Sequence, residues 1–172
     1  WTALEEFSTT KRHGKTENDV KGIVDHAKGR CDLYVSHGST SFAIEAKQAW
    51  PRMNEGDRVF KDAVSESMKN AVKDARSLTA DEANIRLGIS FSAPRIPLKN
   101  VAKRSNPTQA DQAIMRSHVK NWIKNCELNK YDAWAYIFPA KCEKLICING
   151  KNVFPGVLLT IKHVKRGNRK KG

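Results

Sequence analysis

The sequence predicts a single α/β domain, residues 1–172, in which a mixed β-sheet is flanked by helices. Three observations lead to this prediction: two strand-like segments joined by a short turn, a long amphipathic helix after them, and another strand-like segment beyond that helix. The length of 172 residues suits one domain of ordinary size. Hydrophobic residues make up 40% of the chain, which favours a packed globular fold over a disordered segment.

Two helices are predicted before the first strands. A short helix covers residues 2–8, where the apolar residues fall on one side. A second helix begins at Thr16, a good N-cap residue, and runs to about Lys28 with apolar residues at helical spacing. Gly29 then ends this helix, because glycine readily adopts the left-handed conformation found after helices.

A β-hairpin is predicted next. Residues 31–36 and 40–47 have strand composition, and His37-Gly38-Ser39 is typical of a turn between strands. Because side chains alternate along a strand, the second strand should present two different faces. The expected core face consists of Phe42, Ile44 and Ala46. The opposite face consists of Ala43, Glu45 and Lys47.

The rest of the chain alternates further helices and strands. An amphipathic helix is predicted over residues 57–78, and a strand over residues 86–91 follows it and is stopped by nearby prolines. Asn106-Pro107 is a favourable helix start, since proline suits the first helical position, and this helix reaches about Glu127. Strands are predicted over residues 132–138, 144–148 and 157–164. Trp122 and Trp134 are expected in the core.

The chain is strongly basic, with 31 Lys and Arg against 18 Asp and Glu and a formal net charge of +13. Residues 161–172 form a basic C-terminal tail, but removing its six Lys and Arg still leaves +7. Such a surface attracts polyanions, and nucleic acid is the commonest of them. The four cysteines include no CxxC pair, so reduced thiols are expected in preference to a zinc site.

The sequence carries neither a signal peptide nor an apolar stretch of the roughly 20 residues that a membrane-spanning helix needs. A cytoplasmic protein with no membrane partner is therefore expected. The start at Trp1 suggests a piece of a longer protein.

One face of the hairpin carries residues whose chemistry fits together. Glu45 and Lys47 share a face of the second strand, and a suitable hairpin register brings Asp32 next to Glu45. Two carboxylates suit a hard divalent cation such as Mg²⁺, which polarises a phosphate and lowers the pKa of a bound water. A lysine beside them offsets the charge that develops on the phosphate. The competing interpretation is an exposed charge pair on an edge strand.

Asp32, followed after twelve residues by Glu45-Ala46-Lys47, resembles the signature of the PD-(D/E)xK, or restriction-endonuclease-like, nuclease superfamily, although Cys31 replaces its proline. The order of elements over residues 17–92 is similar to the αβββαβ core of that family. The resemblance implies a DNA endonuclease that depends on Mg²⁺ or Mn²⁺.

The resemblance also implies roles for single residues. Asp32, Glu45 and the backbone carbonyl of Ala46 would bind the metal, and Lys47 would be the catalytic lysine. Glu17 is the first candidate for a further metal ligand and Glu6 the second, while Gln48 is expected beside the site.

The expected partner is nucleic acid, foremost double-stranded DNA, together with a second copy of the chain or other domains of a longer chain. Candidate nucleic-acid contacts are Lys11, Arg12, Lys15, Trp50, Lys99, Lys103 and Arg104. By resemblance, the chain would be the nuclease module of a larger bacterial or phage-encoded defence, restriction, toxin or mobile-element protein. The alternative is a non-catalytic basic nucleic-acid-binding module on the same scaffold, because charge by itself explains binding.

Overall fold

The structure is a computed structural model that describes residues 2–12, 26–53, 58–78, 83–139 and 151–165. These residues form an α/β architecture with a mixed sheet flanked by helices, as predicted. The strands are β1 (Thr2–Arg12), β2 (His26–His37), β3 (Thr40–Ala49), β4 (Ile85–Ser92), β5 (Ile96–Pro97), β6 (Ala102–Lys103), β7 (Asn106–Ala110), β8 (Ala133–Ile137), β9 (Asn152–Val153) and β10 (Val157–His163). The helices are α1 (Arg58–Ser77), α2 (Leu98–Val101) and α3 (Gln112–Asn125), with a 3₁₀ turn at Leu128–Lys130.

In the described part of the chain, six strands are hydrogen-bonded in the order β1-β2-β3-β4-β10-β8, and β5-β9 and β6-β7 form two small pairs. The chain divides into two compact units. Unit 1 comprises residues 1–46, 69–89 and 162–172, and unit 2 comprises residues 47–68 and 90–161.

The predicted hairpin is confirmed as β2 and β3 in unit 1. The two strands pair antiparallel from Leu33↔Ile44 to His37↔Thr40. Gly38 has a φ of 58°, a left-handed conformation that glycine adopts without steric cost, so the strands can reverse over two residues.

The predicted helices at the amino terminus are wrong where the structure describes them. Residues 2–8 belong to strand β1, which pairs antiparallel with β2 from Thr2↔Ser36 to Arg12↔His26. Residues 26–28, expected at the end of the second helix, begin β2, so Gly29 lies inside a strand. Residues 13–25 lie outside the described residues. Long-range pairing with β2 satisfies the backbone of β1 and overrides its local preference.

The predicted core face of β3 is also wrong. Ala43 and Glu45 are buried, whereas Phe42, Ile44 and Ala46 are half-buried. Ala43 packs in a buried cluster with Cys31, Leu78 and Ala83, and Tyr34 lies against that cluster. The face with the smaller side chains is therefore covered, because burial depends on what packs over a strand and not on hydrophobicity alone.

Helix α1 and strand β4 confirm the two elements predicted after the hairpin. The helix buries Val64, Met68, Ala71 and Ala75, all at helical spacing. In unit 1 a Cβ atom at Gly88 of β4 would lie 2.9 Å from the backbone nitrogen of Val72, so glycine permits a close approach of helix and strand. In unit 2, Ser90 Oγ donates a 2.8 Å hydrogen bond to Ser67 Oγ.

The segments that continue β3 and β4 in unit 2 pair in parallel, with Arg52 and Arg95 as bridge partners. The N–H of Arg95 donates to the carbonyl of Pro51 at 2.8 Å, and the N–H of Met53 donates to the carbonyl of Arg95 at 2.7 Å. A parallel connection needs a crossover element, and α1 supplies it between the two strands.

In unit 2 the predicted helix start at Asn106-Pro107 is wrong. Residues 106–110 form β7, which pairs with β6, and helix α3 begins at Gln112. Asp111 is the N-cap, because its Oδ1 accepts hydrogen bonds from the N–H groups of Ala113 at 2.8 Å and Ile114 at 3.1 Å. The carboxylate cap determines where the helix begins.

Strands β8 and β10 confirm two predicted strands and pair antiparallel from Val157↔Ile137 to Ile161↔Ala133. Trp122 is buried as predicted, but Trp134 is 47% exposed, so the core assignment of Trp134 is wrong. Residues 144–148 lie outside the described residues.

Two of the four cysteines lie in the described part of the chain. Cys31 and Cys126 are buried free thiols, as predicted. Cys142 and Cys147 lie outside the described residues.

Candidate active site

Asp32, Glu45 and Ala46 come together in unit 1, at the end of the hairpin remote from its turn. Leu33 pairs with Ile44, so Asp32 and Glu45 are the next residues on the two strands. Asp32 Oδ2 accepts a 2.7 Å hydrogen bond from the N–H of Ala46. The sequence left the hairpin register open, and this register places the Asp32 carboxylate against the Glu45-Ala46 segment.

The backbone of Ala46 has a second group relevant to the site. In an extended strand, the N–H and C=O of one residue face the same neighbouring strand. The Ala46 carbonyl therefore faces the side on which Asp32 holds the Ala46 N–H.

The two carboxylates differ in exposure. Glu45 is 2% exposed, whereas Asp32 is exposed. Removing an ionised carboxylate from water is costly unless positive charge or hydrogen-bond donors compensate. The site thus combines a carboxylate set inside the protein with one at its surface.

Cys31 lies on β2 immediately before Asp32 and was not predicted to have a role. Its Sγ lies 3.2 Å from the carbonyl oxygen of Leu33 and 3.3 Å from that of Ile44, and the thiol donates to these carbonyls. Burial raises the pKa of the Cys31 thiol, and the negative charges of Glu45 and Asp32 raise it further. Cys31 is therefore a neutral thiol, and its contact with the Ile44 carbonyl links β2 to β3 beside the carboxylates. Its position immediately before Asp32 is the one sequence signal that could have drawn attention to it.

Lys47 and Gln48 follow Ala46 on β3 and belong to unit 2. Lys47 is half-buried and Gln48 is exposed. Strand alternation puts Lys47 on the same face of β3 as Glu45, two residues away. This is the relation of the two residues that the sequence predicts.

Of the two candidates for a further acidic ligand, the structure describes the backbone position of Glu6 only. Glu17 lies outside the described residues. Glu6 lies on β1 between Glu5 and Phe7, whose partners on β2 are Leu33 and Cys31. This register places the Glu6 backbone across from Asp32, so the second candidate has a position next to the site.

No group of three or more His, Cys, Asp or Glu side chains among the described residues is arranged to hold a metal ion. The candidate donors are the carboxylates of Asp32 and Glu45 and the backbone carbonyl of Ala46. All three are oxygen donors, the kind that Mg²⁺ and Mn²⁺ accept. Binding of either ion stays a prediction.

The predicted nucleic-acid contacts do not form one described group. Trp50 is 54% exposed, and its ring meets that of Phe154 edge-on at a centroid distance of 5.9 Å. Lys99 and Arg104 are exposed, whereas Lys103 is half-buried with its Nζ 3.4 Å from Gln109 Oε1. Lys11 and Arg12 end strand β1, and Lys15 lies outside the described residues.

Three further basic residues, which the sequence did not single out, lie with Lys99 around one cleft of unit 2: Arg52, Arg95 and Lys151. They are far apart in the chain, so only the high net charge hinted at them.

No protein-family model, curated protein or solved structure matches this chain. Within the ranges that the structure describes, no helix has the length and apolar character required to cross a membrane.

Proposed function

We propose that this chain is a metal-dependent DNA endonuclease domain that hydrolyses phosphodiester bonds. The active site would consist of Asp32, Glu45 and the carbonyl of Ala46 as metal ligands and Lys47 as the catalytic lysine, with Gln48 beside it. The observation that carries the proposal is the 2.7 Å hydrogen bond from the Ala46 N–H to Asp32 Oδ2. It joins the first acidic residue of the motif to the Glu45-Ala46-Lys47 segment, which the motif by itself does not ensure.

The donor set fits a hard divalent cation. Two carboxylates and a backbone carbonyl supply the oxygen ligands that Mg²⁺ prefers, and Mg²⁺ ordinarily keeps several waters besides. When bound, the ion would polarise the scissile phosphate and lower the pKa of a bound water. The register position of Glu6 across from Asp32 supports Glu6 as a further ligand.

Each residue of this chain then has a distinct task. Glu45, buried at 2% exposure, provides a fixed carboxylate, and Asp32 provides one that solvent and substrate can reach. The Ala46 N–H holds the Asp32 carboxylate in place. Lys47 carries positive charge on the face of β3 that Glu45 occupies, where it would steer the attacking water and offset charge growing on the phosphate.

The surrounding fold gives further support. An antiparallel hairpin carries the motif, α1 follows, and the extensions of β3 and β4 pair in parallel. This order resembles the βαβ part of the restriction-endonuclease-like core. Strands β1, β2 and β3 precede α1 and β4 follows it, which corresponds to the βββαβ part of that core, and the helix expected immediately before the motif falls largely outside the described residues.

The test is cleavage of supercoiled plasmid DNA with Mg²⁺ or Mn²⁺, with and without EDTA, by the wild type and Lys47→Ala. We expect metal-dependent cleavage that falls at least about 100-fold in Lys47→Ala, the scale on which loss of one charge-stabilising group slows an enzyme. Arg116→Gln, at an exposed position of α3, is the matched control and should cleave normally. Cleavage that persists in EDTA, or full activity of Lys47→Ala, would disprove the proposal.

Calorimetry with Mn²⁺ separates the endonuclease from the non-catalytic alternative. The endonuclease should bind Mn²⁺ through Asp32, and Asp32→Asn should abolish that binding. Salt-sensitive DNA binding with neither Mn²⁺ binding nor cleavage would instead support a non-catalytic binding module.

A further inference from the structure

A cleft in unit 2, with a volume of about 680 Å³, is surrounded by positive charge. Its lining includes Arg52, Arg95, Lys99 and Lys151, with Asn152 beside them. Of the described residues that line it, none is acidic. The cleft lies wholly within unit 2, whereas Asp32, Glu45 and Ala46 belong to unit 1.

Backbone pairing fixes the positions of the four basic residues. Arg52 and Arg95 are bridge partners, and the two hydrogen bonds around them measure 2.7 and 2.8 Å. The N–H of Leu98 donates to the carbonyl of Lys151 at 2.9 Å, next to the antiparallel pair Pro97↔Asn152. Lys99 follows Leu98 in α2. The fold therefore places the backbones of four basic residues around one cleft.

This convergence is unfavourable for the protein by itself. Like charges on directly paired residues of neighbouring strands destabilise the pair, and Arg52 and Arg95 are so placed. Among the described residues, no salt bridge to an acidic side chain involves any of the four. An anion in the cleft would offset their repulsion, so the arrangement favours a negatively charged ligand.

The side chains indicate the kind of anion. The planar guanidinium groups of arginine donate paired hydrogen bonds to phosphate oxygens, and lysines add point charge. The volume lies in the range of about 300–1,000 Å³ typical of ligand sites, so it holds more than one phosphate. Trp50, 54% exposed and two residues before Arg52, offers an aromatic ring on which a base can stack.

We propose that this cleft binds the phosphate groups of a nucleic-acid strand. The proposal rests on the nuclease function only for the choice of polymer, because the cleft and its charges are independent of the carboxylate site. Arg52, Arg95 and Lys151 would bind phosphate together with Lys99, which the sequence had already indicated as a nucleic-acid contact.

The test measures fluorescence anisotropy of a labelled single-stranded oligonucleotide and a duplex in EDTA, with the full chain. The cleft variant is Arg95→Gln/Lys151→Gln. The control variant, Arg116→Gln/Lys120→Gln, also removes one Arg and one Lys from exposed positions of unit 2. We expect the cleft variant to lose at least about tenfold in affinity and its log K against log salt slope to flatten by about 1 to 2, since each phosphate contact contributes roughly 0.7–0.9. The control should lose less than about threefold on the same scale.

Equal losses in the two variants would overturn the proposal, because charge alone would then account for binding. Arg95→Lys/Lys151→Arg, which keeps the charge, should bind better than the glutamine variant, and equal weakness would also count against it. Circular dichroism and thermal melting of each variant confirm that it is folded. The assay contains no metal and measures no cleavage, so failure here is distinct from failure of the nuclease proposal, whose test is metal-dependent cleavage.

Two probes identify the source of the phosphate. Sodium pyrophosphate should raise the melting temperature of the wild type more than that of the cleft variant. Vesicles containing phosphatidylglycerol test a lipid headgroup as the ligand. Vesicle binding that the cleft variant loses while it keeps oligonucleotide binding would overturn the proposal in favour of a membrane surface.

Discussion

The carboxylate of Asp32 on β2 accepts a hydrogen bond from the backbone N–H of Ala46 on β3. Ala46 follows Glu45 on β3, so a main-chain group of unit 1 fixes the Asp32 carboxylate next to the Glu45-Ala46 segment. A carboxylate held through one oxygen keeps acceptor capacity on the other, because an ionised carboxyl group has about four lone-pair sites. Asp32 can thus serve the fold and a bound cation at the same time.

Asp32→Asn and Asp32→Ala should separate these two tasks. Asparagine keeps a carbonyl oxygen for the Ala46 N–H but loses the charge, so its free energy of unfolding should stay within about 1 kcal/mol of the wild type. Alanine removes the acceptor and should cost about 1–2 kcal/mol. Both variants should lose Mn²⁺ binding and plasmid cleavage. Urea denaturation and calorimetry measure the two effects, and wild-type cleavage by Asp32→Asn would contradict the assignment.

Glu45→Gln and Glu45→Ala test the buried carboxylate. Glutamine preserves the volume of a side chain that is 2% exposed, so this variant should fold cooperatively yet lose Mn²⁺ binding. Alanine leaves a cavity and should be less stable by about 2 kcal/mol or more. The measurement is urea denaturation combined with Mn²⁺ calorimetry. Retention of Mn²⁺ affinity in Glu45→Gln would show that this carboxylate is not a ligand.

The hairpin could be predicted because its signals are local. Strand composition on both sides of Gly38-Ser39 and the positive φ available to Gly38 lie within a dozen residues of one another. The relation of Glu45 to Lys47 followed from strand alternation. Helix α1 could likewise be predicted, because apolar residues recur along it with a period of 3.6 residues.

Other features depend on partners distant in sequence. Strand β1 exists because β2 pairs along it, and no pattern within residues 2–12 reveals that partner. Ala43 is buried because Leu78 and Ala83 cover it, which reversed the expected core face of β3. The basic cleft of unit 2 unites residues from positions 52, 95, 99 and 151, which spacing cannot connect. Local elements could therefore be predicted from the sequence. Burial, and the meeting of residues distant in sequence, could not.

Gly88→Ala should destabilise the protein by about 1–3 kcal/mol, the cost of overpacking a tight contact. The added Cβ would lie 2.9 Å from the Val72 backbone nitrogen and 3.0 Å from Val72 Cγ2. Because the nearest atom is backbone, Val72→Ala should not rescue the variant.

Gly38→Ala is the comparison for Gly88→Ala. Nothing lies within 4 Å of a Cβ atom at Gly38, so the cost of about 1–2 kcal/mol comes from the left-handed conformation alone. Gly38→Asn should recover part of that cost. Urea denaturation measures all four, and full rescue by Val72→Ala would refute the explanation.

Alkaline pH should weaken the fold through Cys126. Burial raises the pKa of its thiol from the ordinary 9.0 to about 12, although the charge of Lys130 acts in the opposite direction. Between those values the unfolded chain has released a proton that the folded chain retains, so stability is fully present below about pH 9 and is lost as the pH rises toward 12. Burial, together with the charge of Cys126, also raises the pKa of Tyr131, which adds a loss of the same sign. A difference of one bound proton changes the free energy of unfolding by about 1.4 kcal/mol per pH unit. Between pH 9 and 10 the decline in this free energy should therefore be shallower by up to that amount in Cys126→Ala. The decline should be shallower also in Tyr131→Phe. Urea denaturation at pH 7.5, 9 and 10 gives these slopes, and a slope in Cys126→Ala identical to that of the wild type would show that the thiol does not contribute.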